Sequence, residues 1–197
     1  MNGIKTIGIT GGIGSGKSYV SAILQEKFGI PVYDCDKEAK RLTASNEEIR
    51  QRLIALVGPE VFDGNKLNKQ LLADYLFADV ENASRVNAII HPVVLQDFKR
   101  WAEEQHEKPI VALESAILFE SGFNEMVDKV LFVDAPEEVR LRRAMLRDTA
   151  TEAQIRARMK MQRPELHRLQ ADFIIDNNQT DYSQLHNQLE KLLTLNS

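Results

Sequence analysis

Cysteine occurs once in the 197 residues, at Cys35, so no internal disulfide can form and no cysteine-based metal site can assemble. That usage suits a reducing interior. No uninterrupted apolar run approaches the roughly 18 residues that a membrane-spanning helix needs. The opening stretch MNGIKTIGIT lacks the apolar core of a secretory leader, so a cytoplasmic protein with no membrane partner is expected. Positive charge is in deficit. A net charge of −4 argues against general nucleic-acid binding, which wants a basic surface. The histidines His91, His106, His167 and His186 show no metal-ligand spacing. No internal repeat, low-complexity tract or interdomain linker interrupts the chain. Its length allows one substantial core with an inserted or appended subdomain.

Against these absences stands one strong motif. Gly11 to Ser18 reads GGIGSGKS, a full match to G-x-x-x-x-G-K-[ST]. The β-prone run Ile4 to Thr10 precedes it, and Val20, Ile23, Leu24 and Phe28 follow at helical spacing. A strand, a glycine-rich loop and a helix N-terminus together turn backbone N–H groups onto phosphate oxygens. Gly12, Ile13, Gly14, Ser15 and Gly16 would form that cradle. Lys17 would bridge the β- and γ-phosphates, and the Ser18 hydroxyl would ligate Mg²⁺. The chain is therefore expected to handle a nucleoside triphosphate.

Charge is unevenly placed. Between Arg140 and Arg168 stand nine basic residues, Arg163 among them, and three acidic ones. This local cationic field suits a polyanionic ligand. The order of elements predicts a five-stranded parallel sheet flanked by helices, with strands near 4–10, 30–33, 109–113, 129–133 and 172–175 and a helix near 16–28. The stretch about 36–106 reads as a helical insert, too long to be a loop. Its apolar stripes are Ile49/Leu53/Leu56/Val57, Leu71/Leu72/Tyr75/Leu76 and Val86/Ile89/Ile90/Val93/Val94/Phe98. Gly58-Pro59 should end the first, and Pro92 should kink or restart the last. The expected unit spans 1–197: core about 1–35, 107–139 and 171–197, insert about 36–106 for a second substrate, and a small helical lid about 140–170.

The second strand ends Asp34-Cys35-Asp36. Ligands sit at the carboxyl ends of parallel strands, so these carboxylates suit an acceptor hydroxyl, its proton, or waters on Mg²⁺. Asp34 and Asp36 share a face if the strand persists; Asp36 can instead start a helix as its N-cap. Two strand-end acids, Glu114 and Asp134, fit a metal-sphere role; the Ala135-Pro136-Glu137-Glu138 that follows gives Asp134 a helix-start role instead. Cys35, between two acids, reads as a small strand residue. No Asn-Lys-x-Asp is present, which excludes a guanine-reading GTPase. Short length, a helical insert and an arginine-rich lid point to a small-molecule kinase.

Together these features resemble the dephospho-coenzyme A kinase family over nearly the whole chain. The resemblance rests on Thr10–Ser18, Gly29–Asp36, Asn87–Pro92, Ile117–Glu120 and Ala171–Asn178. It implies a P-loop NTP hydrolase fold and transfer of the γ-phosphate of ATP to the ribose 3′-hydroxyl of dephospho-coenzyme A, the last step of coenzyme A synthesis. It implies Mg²⁺ as cofactor, the two small molecules as partners, and a monomer or weak homo-oligomer. Asp36 is the first choice for the group that aligns the 3′-hydroxyl and takes its proton, and Asp34 the second. Lys17 and Arg143 complete the catalytic set. Arg140, Arg143 and Arg147, about one turn apart, would reach the phosphates, with Tyr19 and Asn177 also on the ATP side and Asp176–Asn178 as the adenine-side loop. Thr10, Asp36, Asn87 and His91 would meet the acceptor. The sequence departs from the family at Tyr19, where threonine is usual, at Ala116, where proline is usual, and at Lys69, where arginine is common. Another P-loop kinase acting on a nucleotide or small alcohol is the nearest alternative, and a nucleotide-binding switch is a more distant one.

Overall fold

The computed structural model describes residues 5–162, 164–178 and 182–194; Ile4 of the anticipated first strand and Arg163 of the cationic segment lie outside them. The chain forms two compact units. The smaller is Asp34–Glu104, and the larger takes the described residues up to Tyr33 and from Gln105 onward.

The larger unit is built on a five-stranded parallel sheet. Its strands are β1 (Lys5–Thr10), β2 (Val32–Asp34, whose last residue opens the smaller unit), β5 (Ile110–Glu114), β6 (Lys129–Asp134) and β7 (Phe173–Asp176), in the order β2-β5-β1-β6-β7. Strands β3 and β4 belong to the smaller unit. Alternation along each strand sends Ile7, Ile9, Ala112, Leu131, Val133 and Ile175 to one face. There they pack with Val20 and Leu24 of α1 (Lys17–Phe28) and with Leu185, Leu189 and Leu192 of α9 (Tyr182–Thr194). Ile9, Leu24, Leu131 and Leu189 are fully enclosed, each contributing about 1.5–3 kcal/mol on burial. Helices α6 (Glu137–Arg147), α7 (Glu152–Met161) and α8 (Pro164–Gln170) occupy the cationic segment.

The limits of β2, β5 and β7 fall one or two residues later than the apolar runs suggest. The Ile30 N–H bonds Leu24 O at 3.0 Å to close α1, which delays β2. Asp172 precedes β7, its carboxylate bonding Lys129 Nζ and the Val130 N–H, both at 2.8 Å. Burial opposes that charge, but the Lys129 ammonium and the Val130 N–H hold the carboxyl below its usual range.

The smaller unit contains α2 (Cys35–Ser45), α3 (Glu47–Val57), a hairpin of β3 (Phe62–Asp63) and β4 (Lys66–Leu67), α4 (Lys69–Ala78) and α5 (Val80–Glu104). Asn46 and Asn68 cap α3 and α4 through the N–H groups of Ile49 and Leu71. Leu42, Ile49, Leu53, Leu72, Val86, Ile89, Val93 and Phe98 form the core. Buried Asp97 on α5 pairs with Arg41 on α2 at 2.7 Å and with Arg100 one turn on. The hairpin was not anticipated, although Asp63-Gly64-Asn65 carries its turn signal.

Pro92 does not restart the last helix; α5 runs unbroken through it. Proline withholds the N–H that the carbonyl four residues back would accept. That carbonyl, Ala88 O, instead receives Arg52 Nη2 from α3 at 3.4 Å. An arginine on a neighbouring helix thus serves the group that proline orphans.

Candidate active site

Parallel strands finish at one edge, so β1 delivers its loop beside the ends of β5, β6 and β7. The register sets Glu114 opposite Ile9, Phe132 opposite Thr10, and Asp176 opposite Asp134. Between β1 and α1 the loop needs glycine for two separate reasons. Gly14 has φ +76°, and a Cβ there would stand 2.1 Å from the backbone oxygen of Arg140. A Cβ on Gly12 would stand 2.3 Å from Arg140 Nη1. Gly16 caps α1 without any side-chain hydrogen bond, so no side chain competes for the positive end of that helix.

The cations converge unequally. Lys17 Nζ donates to Gly11 O at 2.7 Å and Gly12 O at 3.2 Å, which folds the ammonium over the loop. Arg140 is 8% exposed; its Nε donates to Ala135 O at 3.0 Å, while buried Nη1 has no hydrogen-bond acceptor among the described residues. Arg143 Nη1 reaches Ser15 O at 3.5 Å. The structure does not bring Arg147 to the loop. It closes α6 and pairs with its neighbour Asp148 at 2.8 Å, because that carboxylate sits at the helix C-cap. Asn177 donates Nδ2 to Ser15 O at 2.7 Å and its backbone N–H to Asp134 O at 2.8 Å, anchoring the segment after β7 to the loop. A cleft of about 500 Å³ opens at the ends of β6 and β7, lined in part by Asp134, Arg140, Arg168, Asp176 and Asn178.

Of the two strand-end acids, Glu114 takes the place beside the loop. Ser18 Oγ donates to Glu114 Oε1 at 2.9 Å, and the carboxylate is largely buried. Asp134 does not cap α6; Pro136 holds that position, and Asp134 pairs with Arg168 on α8 at 3.0 Å. Tyr19 is exposed on the first turn of α1. Thr10, expected to meet the acceptor, is fully enclosed, with an Oγ1 unpartnered among the described residues, so it presents no accessible group to a substrate.

In the smaller unit the strand does not persist to Asp36. The chain turns helical after Asp34, which accepts the Lys37 N–H at 3.0 Å and is therefore the N-cap in place of Asp36. Asp36 is exposed in the first turn of α2, and Cys35 between the acids is buried. Asn87 and His91 stand four residues apart on α5, on one face and partly buried. Burial lowers the His91 pKa.

Sequence reasoning missed Gln162. Its Oε1 accepts the Ile13 N–H at 2.8 Å, and the Ile13 side chain packs against Leu141 and Ala144 of α6 and Ile155 and Met159 of α7. That cluster counts Ile13 among the partly buried side chains packed against it as a whole. A single glutamine after a helix carries no periodic signal that could have marked it. The Ile13 contact was more legible, as the one branched apolar side chain in a loop otherwise of glycine and serine up to Gly16.

Comparison with known proteins agrees with this geometry. A family model for dephospho-CoA kinase matches residues 5–182. The dephospho-CoA kinase of Bacteroides fragilis strain YCH46 is 50% identical over 172 residues, covering 87% of this chain and 83% of that protein. Among solved structures, TT1252 from Thermus thermophilus is similar with a TM-score of 0.83 and 35% identity, covering 98% of each chain. Dephospho-CoA kinase from Campylobacter jejuni shares the fold, with a TM-score of 0.67 at 22% identity over 96% of this chain and 95% of that one.

Proposed function

This chain belongs to the dephospho-CoA kinase family, and we propose that it transfers the γ-phosphoryl group of ATP to the ribose 3′-hydroxyl of dephospho-coenzyme A, the last step of coenzyme A synthesis. One observation carries the ATP half of this reading. The buried Arg140 guanidinium lies against the phosphate loop with Nη1 unpartnered among the described residues. A buried cation left without a counter-charge costs several kcal/mol, and a polyphosphate supplies that charge. Family membership supports the acceptor.

In the proposed reaction the 3′-oxygen attacks the γ-phosphorus, the bond from that phosphorus to the β,γ-bridging oxygen breaks, and ADP leaves. Asp36 takes the hydroxyl proton. Its exposure supports this role, whereas Asp34, committed to its capping bond, is the second choice. The loop amides, Lys17, Arg140 and Arg143 hold the triphosphate and meet charge as it develops on the transferring group. The nucleoside lies toward the cleft lined by Asp176 and Asn178. Asn87 and His91 bound the acceptor.

The residues present fit Mg²⁺. Ser18 and Glu114 offer hard oxygens to each other's reach, and no cluster of three or more histidine, cysteine or acidic side chains forms a closed cage among the described residues. Mg²⁺ takes one or two protein oxygens and draws the rest from phosphates and water. When bound, the ion neutralises phosphate charge. No described helix is long and apolar enough to cross a membrane; the cytoplasm is the proposed place of action on the strength of the proposed reaction, a step of coenzyme synthesis.

A coupled ADP-release assay with mass analysis of the acceptor tests the reading. Turnover with dephospho-coenzyme A and none with AMP, dUMP or shikimate is the expected result. Turnover with one of those alone, or hydrolysis without transfer, overturns it.

A further inference from the structure

We propose that Gln162 is a positioning residue for ATP, holding the phosphate loop in its binding shape through Ile13. The inference rests on the ATP-dependent reading above and deepens it. Glycine-rich backbone is conformationally permissive, and a loop that orders only when its ligand arrives loses affinity to that ordering. This loop is fastened from outside at two points. At Ile13 the N–H bonds Gln162 Oε1 at 2.8 Å, and the side chain fills the core between α6 and α7. At Ser15 the carbonyl receives Asn177 at 2.7 Å and Arg143 at 3.5 Å. Gly14 sits between these anchors against the Arg140 backbone.

Gln162 is itself held. It is the C-cap of α7, and its N–H bonds the backbone oxygen of Met159 at 3.2 Å, a member of the apolar cluster against which Ile13 packs. The amide oxygen at the end of α7 and the apolar cluster shared by α6 and α7 therefore hold one loop residue, the first by its backbone and the second by its side chain. Gln162 does not need to touch nucleotide to act. Its effect passes through the Ile13 peptide to the neighbouring amides.

The test uses the full chain with Gln162→Met, which keeps length and loses the carbonyl, and Gln162→Glu, which keeps an acceptor. Three readouts apply: KM for ATP and for dephospho-coenzyme A separately, MgADP affinity by calorimetry, and exchange of the Ile13 amide by NMR. Expected for Gln162→Met are a five- to tenfold rise in ATP KM, a matching loss of MgADP affinity, dephospho-coenzyme A KM within twofold, and Ile13 exchange faster by about fivefold or more (a bond of about 1 kcal/mol lost). Gln162→Glu restores slow Ile13 exchange and, at about 0.3 M salt where its added charge is screened, most of the MgADP affinity. Unchanged ATP KM and MgADP affinity in Gln162→Met, an equal rise in both KM values, or Ile13 exchange in Gln162→Glu as fast as in Gln162→Met overturns the proposal. If Gln162→Met does not fold, Gln162→Asn, one methylene too short for the contact, carries the same expectations. If the unaltered protein does not phosphorylate dephospho-coenzyme A, the functional reading fails, while MgADP affinity and Ile13 exchange still decide this inference.

Discussion

Gly14→Ala separates two costs that glycine substitutions usually mix. The first is conformational: φ of +76° is unfavourable for alanine by about 1–2 kcal/mol. Gly122 has a nearly equal φ of +73° with nothing within 4 Å of a built Cβ, so Gly122→Ala bears that cost alone. The second is steric. At Gly14 the methyl carbon would stand 2.1 Å from Arg140 O, 2.7 Å from its carbonyl carbon and 2.9 Å from its Cα. These are backbone atoms of α6, which cannot rotate away as a side-chain tip can, so either the loop or the helix shifts. Forced overpacking of this kind adds about 1–3 kcal/mol. Each kcal/mol moves the melting temperature of a chain this size by about 2–4 °C. Gly14→Ala should therefore melt about 2–12 °C below Gly122→Ala in a calorimetric scan without nucleotide. The displaced loop should also raise KM for ATP at least tenfold, which Gly122→Ala leaves within twofold. Equal melting temperatures with ATP KM unchanged in both would refute the claim that the loop is seated against α6.

Lys17→Ala and Asp36→Asn should both collapse turnover, Asp36→Asn by about 10²–10⁴-fold as expected for loss of a general base, but only Lys17→Ala should greatly weaken MgATP binding by calorimetry. If Asp36→Asn keeps near-normal turnover, the proton acceptor is another group and Asp34 is next. Glu114→Gln keeps a partner for Ser18 but removes its charge, so the Mg²⁺ concentration for half-maximal rate should rise about tenfold at fixed ATP; an unchanged Mg²⁺ titration would remove Glu114 from the metal's surroundings. Burial lowers the His91 pKa from 6.5, so the unfolded chain binds the proton more readily than the native one. Stability should hold above about pH 6.5 and fall as pH drops toward the lowered native value, and His91→Gln should flatten that limb in urea titrations between about pH 7 and 5. A limb of unchanged slope in the variant would exclude His91 as its source.

The parts of the fold that were legible are those in which neighbouring residues carry the information themselves. Short apolar runs rich in branched residues and bounded by polar or helical segments mark the buried parallel strands, and the glycine-lysine-serine spacing marks a phosphate loop because few other backbones tolerate it. Boundaries and roles were less legible, because they depend on partners distant in sequence. Pro92 breaks a helix by local rules, yet α5 continues because Arg52, on another helix, is placed to serve the Ala88 carbonyl. Asp34 and Asp36 are interchangeable in a strand read by alternation; which one caps is decided by where the chain turns helical. Glu114 and Asp134 end similar apolar runs, and only the side chains that each meets in the fold separate them. Both β5 and β6 flank β1, but Glu114 meets Ser18 while Asp134 is drawn to Arg168 from a helix later in the chain.

The same reasoning explains why the arginines divide as they do. Spacing on a helix puts Arg140, Arg143 and Arg147 at successive turns and so treats them as equivalent. Position along α6 makes them unequal. Arg140, near the start of the helix, is buried against Gly12 and Gly14, and Arg143 a turn later still reaches Ser15 O. Arg147 ends the helix, where the carboxylate of Asp148 bonds two of its nitrogens and also takes Arg158. A guanidinium already paired with a carboxylate must give up that partner to bind phosphate, whereas the Arg140 Nη1 has none to give up among the described residues. Arg140→Met should therefore weaken MgATP binding far more than Arg147→Met. Two calorimetric titrations decide it, and equal losses would mean that the Asp148 pair does not restrain Arg147.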